Sequence, residues 1–188
     1  MEVFLIRHPE VDIGRGYCYG YSDVEVSAAS FKSAVEKIKK HIPAYADLTY
    51  YSSDLKRCRV LAELLCSSEI FCSSEIRELN FGRWEMIRWD DLPQDELKIW
   101  MEDFVNQSGH GGESYKELYS RSVNFWKELI KKNHSKVAVI THSGVIRSIL
   151  CYILNISLEN SFKFNIDYSG ISKININKEI EIIEFINK

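Results

Sequence analysis

The chain has no long apolar run, no basic cluster and no paired-cysteine motif, and each absence removes a class of function. No stretch approaches the roughly 18 consecutive apolar residues of a membrane-spanning helix. The apolar segment after Met1 is cut off at Arg7, too short for a secretion signal. A net charge of −3 without a basic run offers nothing suited to a nucleic-acid backbone. The five cysteines are an odd number and include no Cys-x-x-Cys pair, so they read as reduced packing residues of a cytoplasmic protein. Repeats, linkers and low-complexity segments are also missing. The 188 residues, 45% of them hydrophobic, are enough for one sizeable core, and 1–188 reads as a single domain.

What is present begins at once. Val3-Phe4-Leu5-Ile6 reads as a short buried strand that ends at Arg7 and His8. Pro9 then prevents a regular continuation and biases His8 towards an extended backbone. Far along the chain the plan repeats. Val137-Ala138-Val139-Ile140 is an unbroken apolar run, typical of a central parallel strand, and it ends at Thr141-His142-Ser143-Gly144. An apolar helix through Val145, Ile146, Ile149, Leu150 and Ile153 follows. Ligands of open α/β sheets gather at the carboxyl ends of strands. Two such strands in one parallel sheet would bring His8 and His142 to the same edge.

Between these strands lies alternating structure. The loop Gly14 to Asp23 is rich in glycine and tyrosine. Three residues separate Gly16 from Gly20 where a dinucleotide fingerprint needs two, and no Gly-Lys-Ser/Thr of a P-loop follows. Its tyrosines suit the wall of a site for a flat or ring-shaped ligand. Ser27 caps a helix carrying Phe31, Ala34, Val35 and Ile38, closed by His41 and Pro43. Leu48 to Tyr51 is a second strand. It ends in Ser52-Ser53-Asp54 and opens a helix through Leu55, Cys58, Leu61, Ala62 and Leu65. Arg57 falls in the first turn of that helix, where a cation is unfavourable unless an anion offsets it. Ile70-Phe71-Cys72 is a short strand, followed by a loop with Glu78 and Glu85. Beside a bound phosphate the acid form of such a glutamate is favoured, which makes it a candidate proton donor. The next segment turns helical, with Leu97, Trp100, Met101 and Phe104 as its apolar face, and a glycine-rich turn follows from Ser108 to Gly112. Glu113 and Ser114 begin a helix whose Tyr115, Tyr119 and Trp126 read as core. The tail alternates with period two over 162–166 and 171–185, which predicts two or three strands at a sheet edge with a turn near Asn177-Lys178.

Strand–helix alternation gives a three-layer α/β/α sandwich with a mostly parallel sheet. Its carboxyl edge would collect Arg7, His8, Arg57, His142 and Glu78. Two guanidiniums and two imidazoles match a tetrahedral dianion. No aspartate pair accompanies them to hold magnesium, and no His-x-x-x-His or cysteine cluster suggests zinc. The arginines would keep a histidine neutral and nucleophilic and stabilise the transferring group.

In order along the chain, Arg7-His8, Ser52-Ser53-Asp54-Leu55-Lys56-Arg57, Glu78 with Phe81-Gly82-x-Trp84-Glu85, Gly112-Glu113-Ser114 and Thr141-His142-Ser143-Gly144 resemble the histidine phosphatase superfamily, which includes phosphoglycerate mutase. The resemblance runs from Val3 to about Leu154. It implies that His8 attacks phosphorus and carries a phosphohistidine, and that Glu78 protonates the leaving oxygen. Arg7, Arg57 and His142 would bind the phosphoryl group, with no metal and no cofactor. Glu78 is preferred to Glu85 for its place relative to Phe81-Gly82.

Pro9, Val11 and Gly14 depart from the usual glycine, threonine and asparagine, and the last removes a phosphate contact. Arg-His-Pro, then Cys18-Tyr19-Gly20, Arg57-Cys58, Trp89-Asp90-Asp91-x-Pro93 and Trp100 are similar to the branch of alpha-ribazole-5'-phosphate phosphatases, which act in cobalamin nucleotide-loop assembly. Met86 and Ser30 depart from glycines usual there. The implied partner is a small phosphorylated metabolite, with no nucleic acid and no membrane; a homodimer is compatible with the sequence. The alternatives are a phosphatase of broad range on sugar or nucleotide phosphates, a mutase, and a phosphate-binding module without catalysis. A mutase is disfavoured by the short region between Glu85 and Gly112, and a module by the presence of His8, Glu78 and His142. His41, His110 and His134 read as surface residues, though His110 lies close enough to Glu113 in sequence to reach a substrate.

Overall fold

The computed structural model describes residues 1–42, 45–108, 111–178 and 180–188. In chain order the elements are β1 (Glu2–Arg7), α1 (Ala28–His41), β2 (Thr49–Ser53), α2 (Lys56–Leu65), β3 (Ile70–Ser73), α3 (Gln94–Glu102), α4 (Tyr115–Ile130), β4 (Lys136–Thr141), α5 (Ser143–Leu154), β5 (Ile171–Asn177) and β6 (Ile180–Phe185). The strands form one six-stranded sheet in the order β3-β2-β4-β1-β5-β6. The first four are parallel to one another, and β5 and β6 join as antiparallel strands at one edge.

Period-two alternation along the strands divides the core between the two faces. Val3, Leu5, Tyr51, Val137 and Val139 point into one cluster, where Leu118 and Trp126 of α4 and Ile146 and Ile149 of α5 pack. Phe4, Ile6, Tyr50, Ala138 and Ile140 point to the opposite face, against Ala34 and Ile38 of α1 and Leu61 and Leu65 of α2. β4 runs between β1 and β2 and is covered on both faces, which is why its sequence is continuously apolar. A third, smaller cluster of Cys18, Trp84 and Leu92, with Trp89 and Trp100 against it, anchors the loops above the sheet.

Local signals hold where a single chemistry decides them. The Ser27 side chain accepts from the Ser30 amide and starts α1. Ser114 and Glu117 make a reciprocal capping box at the head of α4. Four of the five cysteines are buried, Cys72 is exposed, and all five are free thiols.

Two expectations fail. Residues 162–166 form no strand: Leu158–Lys163 is a 3-10 helix, and the chain behind it crosses the carboxyl edge of the sheet. The segment is held at the carboxyl edge of the sheet instead, where Arg7 donates to the Ile166 carbonyl, and the outer edges of β3 and β6 pair with no further strand among the described residues. Met101 does not join an apolar face, since it is 65% exposed. Helix α3 is short and leans on the aromatic loop cluster through Leu97 and Trp100, with Glu96 accepting from the Trp84 indole N–H. The expected turn follows β5 as predicted, with Lys178 at φ 56°. Pro43 and His110 lie outside the described residues.

Candidate active site

The register of β1 and β4 builds the site. The two strands are parallel neighbours with Arg7 beside Thr141, so the next residues, His8 and His142, emerge side by side. The His8 amide still donates to the Thr141 carbonyl at 3.0 Å, which carries the pairing one residue past the strand. The two imidazoles meet edge to face with ring centroids 5.1 Å apart. Both residues are almost wholly buried.

The His8 ring has one assignable tautomer. Its Nδ1 lies 2.7 Å from the Pro9 carbonyl oxygen. A carbonyl only accepts, so Nδ1 carries the hydrogen and Nε2 keeps its lone pair. Burial first, then the positive charges of Arg57 and Arg7, hold the His8 pKa well below the usual imidazole value. His142 is lowered in the same direction by burial, then by Arg57 and His8. Its Nε2 contacts the Ser53 hydroxyl at 2.9 Å and the Cys58 thiol at 3.5 Å. His8 is therefore a neutral imidazole with a free Nε2 lone pair in a positive field.

Arg57 is fully buried in the first turn of α2. Its Nη1 and Nη2 donate to the carbonyls of Ser22 and Gly20 at 2.8 and 2.5 Å, so it ties the glycine–tyrosine loop over the site. Arg7 donates to the Ile166 carbonyl at 2.7 Å and stacks 3.8 Å from the Tyr168 ring. The Nε atoms of both arginines are buried without a partner. An unpaired buried N–H is costly, and a bound oxyanion would satisfy both. Asp23 caps α2 from across the loop by accepting from the Lys56 amide.

Glu78 faces the same cleft. Its carboxylate accepts from the Leu79 amide at 3.0 Å, the Ser143 hydroxyl at 3.2 Å and the Gly144 amide at 3.1 Å. A Cβ at Gly144 would sit 2.3 Å from Glu78 Oε1, so only glycine leaves room for this carboxylate. Arg121 pins the backbone behind it, donating to the carbonyls of Glu75, Arg77 and Glu78 while pairing with Glu113 at 2.7 Å. That pairing explains the glutamate of Gly112-Glu113-Ser114.

Glu85 lies outside the cleft. It accepts from the amides of Gly20, Tyr21, Ser22 and Phe81, each at 3.0 Å. Burial pushes its carboxyl up, and these hydrogen bonds outweigh that and hold it below the usual carboxylate range. Gly14 adopts φ 74° on the surface and does not line the cleft.

The five expected side chains thus converge, with Arg57 serving the loop as well as the site. Other residues carried no advance signal. Tyr168 sits 5.6 Å from the His8 ring, and its hydroxyl meets that of Tyr19 at 2.7 Å. It belongs to the tail, whose only visible feature was alternation. Arg121 looks like any helix-surface arginine in the sequence. The cleft encloses about 250 Å³ and its walls beyond His8 are mostly aromatic, including Tyr17, Tyr19, Phe81, Trp89 and Trp100. Among the described residues no group of three or more His, Cys, Asp or Glu is placed to hold a metal ion. No helix among them is long and apolar enough to cross a membrane.

The chain has relatives among known proteins and solved structures. The chain is 24% identical over 195 residues to an adenosylcobalamin/alpha-ribazole phosphatase of Escherichia coli, covering 100% of this chain and 96% of that one. It is 24% identical over 197 residues to phosphoserine phosphatase 1 of Hydrogenobacter thermophilus, covering 100% and 92%. In three dimensions it resembles the alpha-ribazole phosphatase of Shigella flexneri, with a TM-score of 0.91, 22% identity and coverage of 100% and 96%. A family model, described as the histidine phosphatase superfamily (branch 1), matches residues 3–188. The chain belongs to the histidine phosphatase superfamily.

Proposed function

We propose that this protein is a metal-independent phosphomonoesterase working through a phosphohistidine. The observation that supports this most is the free Nε2 of a buried, neutral His8 with His142 5.1 Å away and two arginine Nε donors awaiting an acceptor. In the first step Nε2 of His8 bonds to phosphorus and the ester P–O bond breaks. Glu78 delivers a proton to the departing oxygen. Arg7, Arg57 and His142 stabilise charge on the transferring oxygens. In the second step Glu78 takes a proton from water, the water oxygen bonds to phosphorus, and inorganic phosphate leaves as the P–N bond breaks. Splitting the reaction gives two easier displacements.

For the substrate we favour alpha-ribazole 5'-phosphate or the phosphorylated cobamide. The aromatic walls of the cleft suit a planar base, and the relatives named above include alpha-ribazole phosphatases. A second reading is a phosphatase of broad range on sugar or nucleotide phosphates. One observation favours it: Arg147 lines the same cleft with no acceptor, so the leaving-group half also has a polar corner. A panel of phosphate esters assayed in chelator decides between them. The first reading predicts that kcat/KM for alpha-ribazole 5'-phosphate exceeds that for ring-free esters by at least tenfold. Equal values across the panel support the broad range.

A further inference from the structure

The phosphoryl half of the cleft is crossed by a pair of tyrosines that the transfer steps leave unused. Tyr19 comes from the glycine–tyrosine loop and Tyr168 from the segment between the 3-10 helix and β5, and both line the cleft. Their hydroxyl oxygens lie 2.7 Å apart. The Tyr168 ring stacks 3.8 Å from the Arg7 guanidinium, with its centroid 5.6 Å from that of His8. The Tyr19 ring lies 5.5 Å from the Arg57 guanidinium. The two side chains thus form an arch from Arg7 to Arg57 beside His8. Backbone bonds fix both feet of the arch. The Ser169 amide donates to the His8 carbonyl at 3.2 Å, and the Arg7 amide donates to the Gly170 carbonyl at 3.0 Å. On the loop side the Gly20 and Tyr21 amides are held by Glu85. Gly14, earlier in the same loop, carries no side chain and stays on the surface, so it offers the cleft no donor.

Two hydroxyls carry two hydrogens. One lies in the bond between them, and among the described residues neither oxygen has another hydrogen-bond partner. One O–H is left to donate. Burial first, then Tyr168, hold the Tyr19 phenol above its usual pKa, although Arg7 and Arg57 pull it down, so the hydroxyl stays protonated. Tyr19 runs from Arg57 towards the tyrosine that stacks on Arg7, so its hydroxyl is the one that stands between the two guanidiniums. We propose that Tyr19 donates this spare O–H to an oxygen of the transferring phosphoryl group, and that Tyr168 is the positioning residue that orients it by donating to the Tyr19 oxygen. A hydroxyl that accepts one bond donates the next more strongly, and a donor to an oxyanion is worth more than one to a neutral oxygen. The proposal rests on this cleft being a phosphate-ester site. It concerns the transferred group and holds for any leaving group.

The test uses Tyr19→Phe, Tyr168→Phe and the double variant, which keep both rings, and the stack on Arg7 with them, and remove only hydroxyls. Binding of inorganic phosphate and of orthovanadate is measured by calorimetry, so that the first result is independent of turnover. Tyr19→Phe is expected to weaken both anions about ten- to fiftyfold. Tyr168→Phe should weaken them about three- to tenfold, and the double variant should stay within about twofold of Tyr19→Phe, because Tyr168 acts only through Tyr19. In Tyr19→Phe protein kcat/KM should fall by the same factor, within about threefold, for 4-nitrophenyl phosphate and glycerol 3-phosphate, since the lost bond is to the group they share. Unchanged anion binding in Tyr19→Phe protein overturns the proposal. So does a loss confined to one ester with anion binding intact, which would place the hydroxyls on the leaving group. Losses that multiply in the double variant overturn the positioning role of Tyr168. An unaltered protein that binds neither anion and hydrolyses no ester removes the phosphatase reading itself, and this proposal with it.

Discussion

A histidine attacks phosphorus only when its lone pair is free, and His8 reaches that state by two independent routes. The Pro9 carbonyl fixes the hydrogen on Nδ1, and burial with two arginines disfavours the protonated ring. Because the lowered pKa belongs to a group that must be neutral, activity should persist as the pH falls through the ordinary imidazole value of about 6.5. The acid limb of kcat/KM against pH is thus expected below 6.5, and a limb at or above that value would mean that His8 is not the group titrating. We assign the complementary role to Glu78. Glu78→Gln should slow hydrolysis of alkyl phosphates about 10²- to 10⁴-fold, with far less effect on 4-nitrophenyl phosphate, whose leaving group needs little protonation. An equal loss on both esters would point to a structural glutamate. These residues were legible because each sits where a hydrophobic run stops at a polar residue or inside a short motif. Tyr168 and Arg121 were not, because their roles come from tertiary contacts 3.8 Å from Arg7 and against the backbone behind Glu78.

At the scale of elements, the start of α5 holds Glu78, the proposed proton donor. The Gly144 amide and the Ser143 hydroxyl grip Glu78, and the missing Cβ of Gly144 leaves the space. Gly144→Ala should therefore copy the leaving-group dependence of Glu78→Gln while the circular dichroism stays that of the parent. A variant that loses activity equally on all esters would separate Gly144 from the donor. The loop over the site is held from the other side by Glu85, which gathers four amides. Glu85→Ala strands those donors and should cost about 2 to 3 kcal/mol in denaturant unfolding, with a raised KM. Since the folded pKa of Glu85 is lowered, its contribution is complete above the unfolded carboxyl range and fades as the pH falls through the folded value. Unchanged stability at neutral pH would contradict the clamp. The helices around the core were readable from periodicity because each buries one face, and β1 and β4 from unbroken apolar runs because both of their faces are covered. Residues 162–166 misled because five alternating residues do not by themselves specify a strand, and here Leu158–Lys163 closes into a 3-10 helix while the Ile166 carbonyl accepts from Arg7.

For the whole molecule, the sheet order matters more than any one side chain. Placing β4 between β1 and β2 brings residues 8, 57 and 142 together from distant parts of the chain. The layered α/β arrangement followed from strand–helix alternation, and the meeting of two histidines followed from two strands built alike. The exact strand order did not, since nothing in the sequence states which parallel neighbour β1 chooses. The central claim is that phosphoryl groups pass through His8. It is tested by quenching the protein within milliseconds of mixing with a phosphate ester, then mapping acid-labile phosphate by mass spectrometry under alkaline conditions. One phosphoryl group on His8, absent from His8→Ala protein, is the predicted result. Steady turnover with the phosphoryl group on another residue, or unchanged labelling in His8→Ala protein, would contradict it.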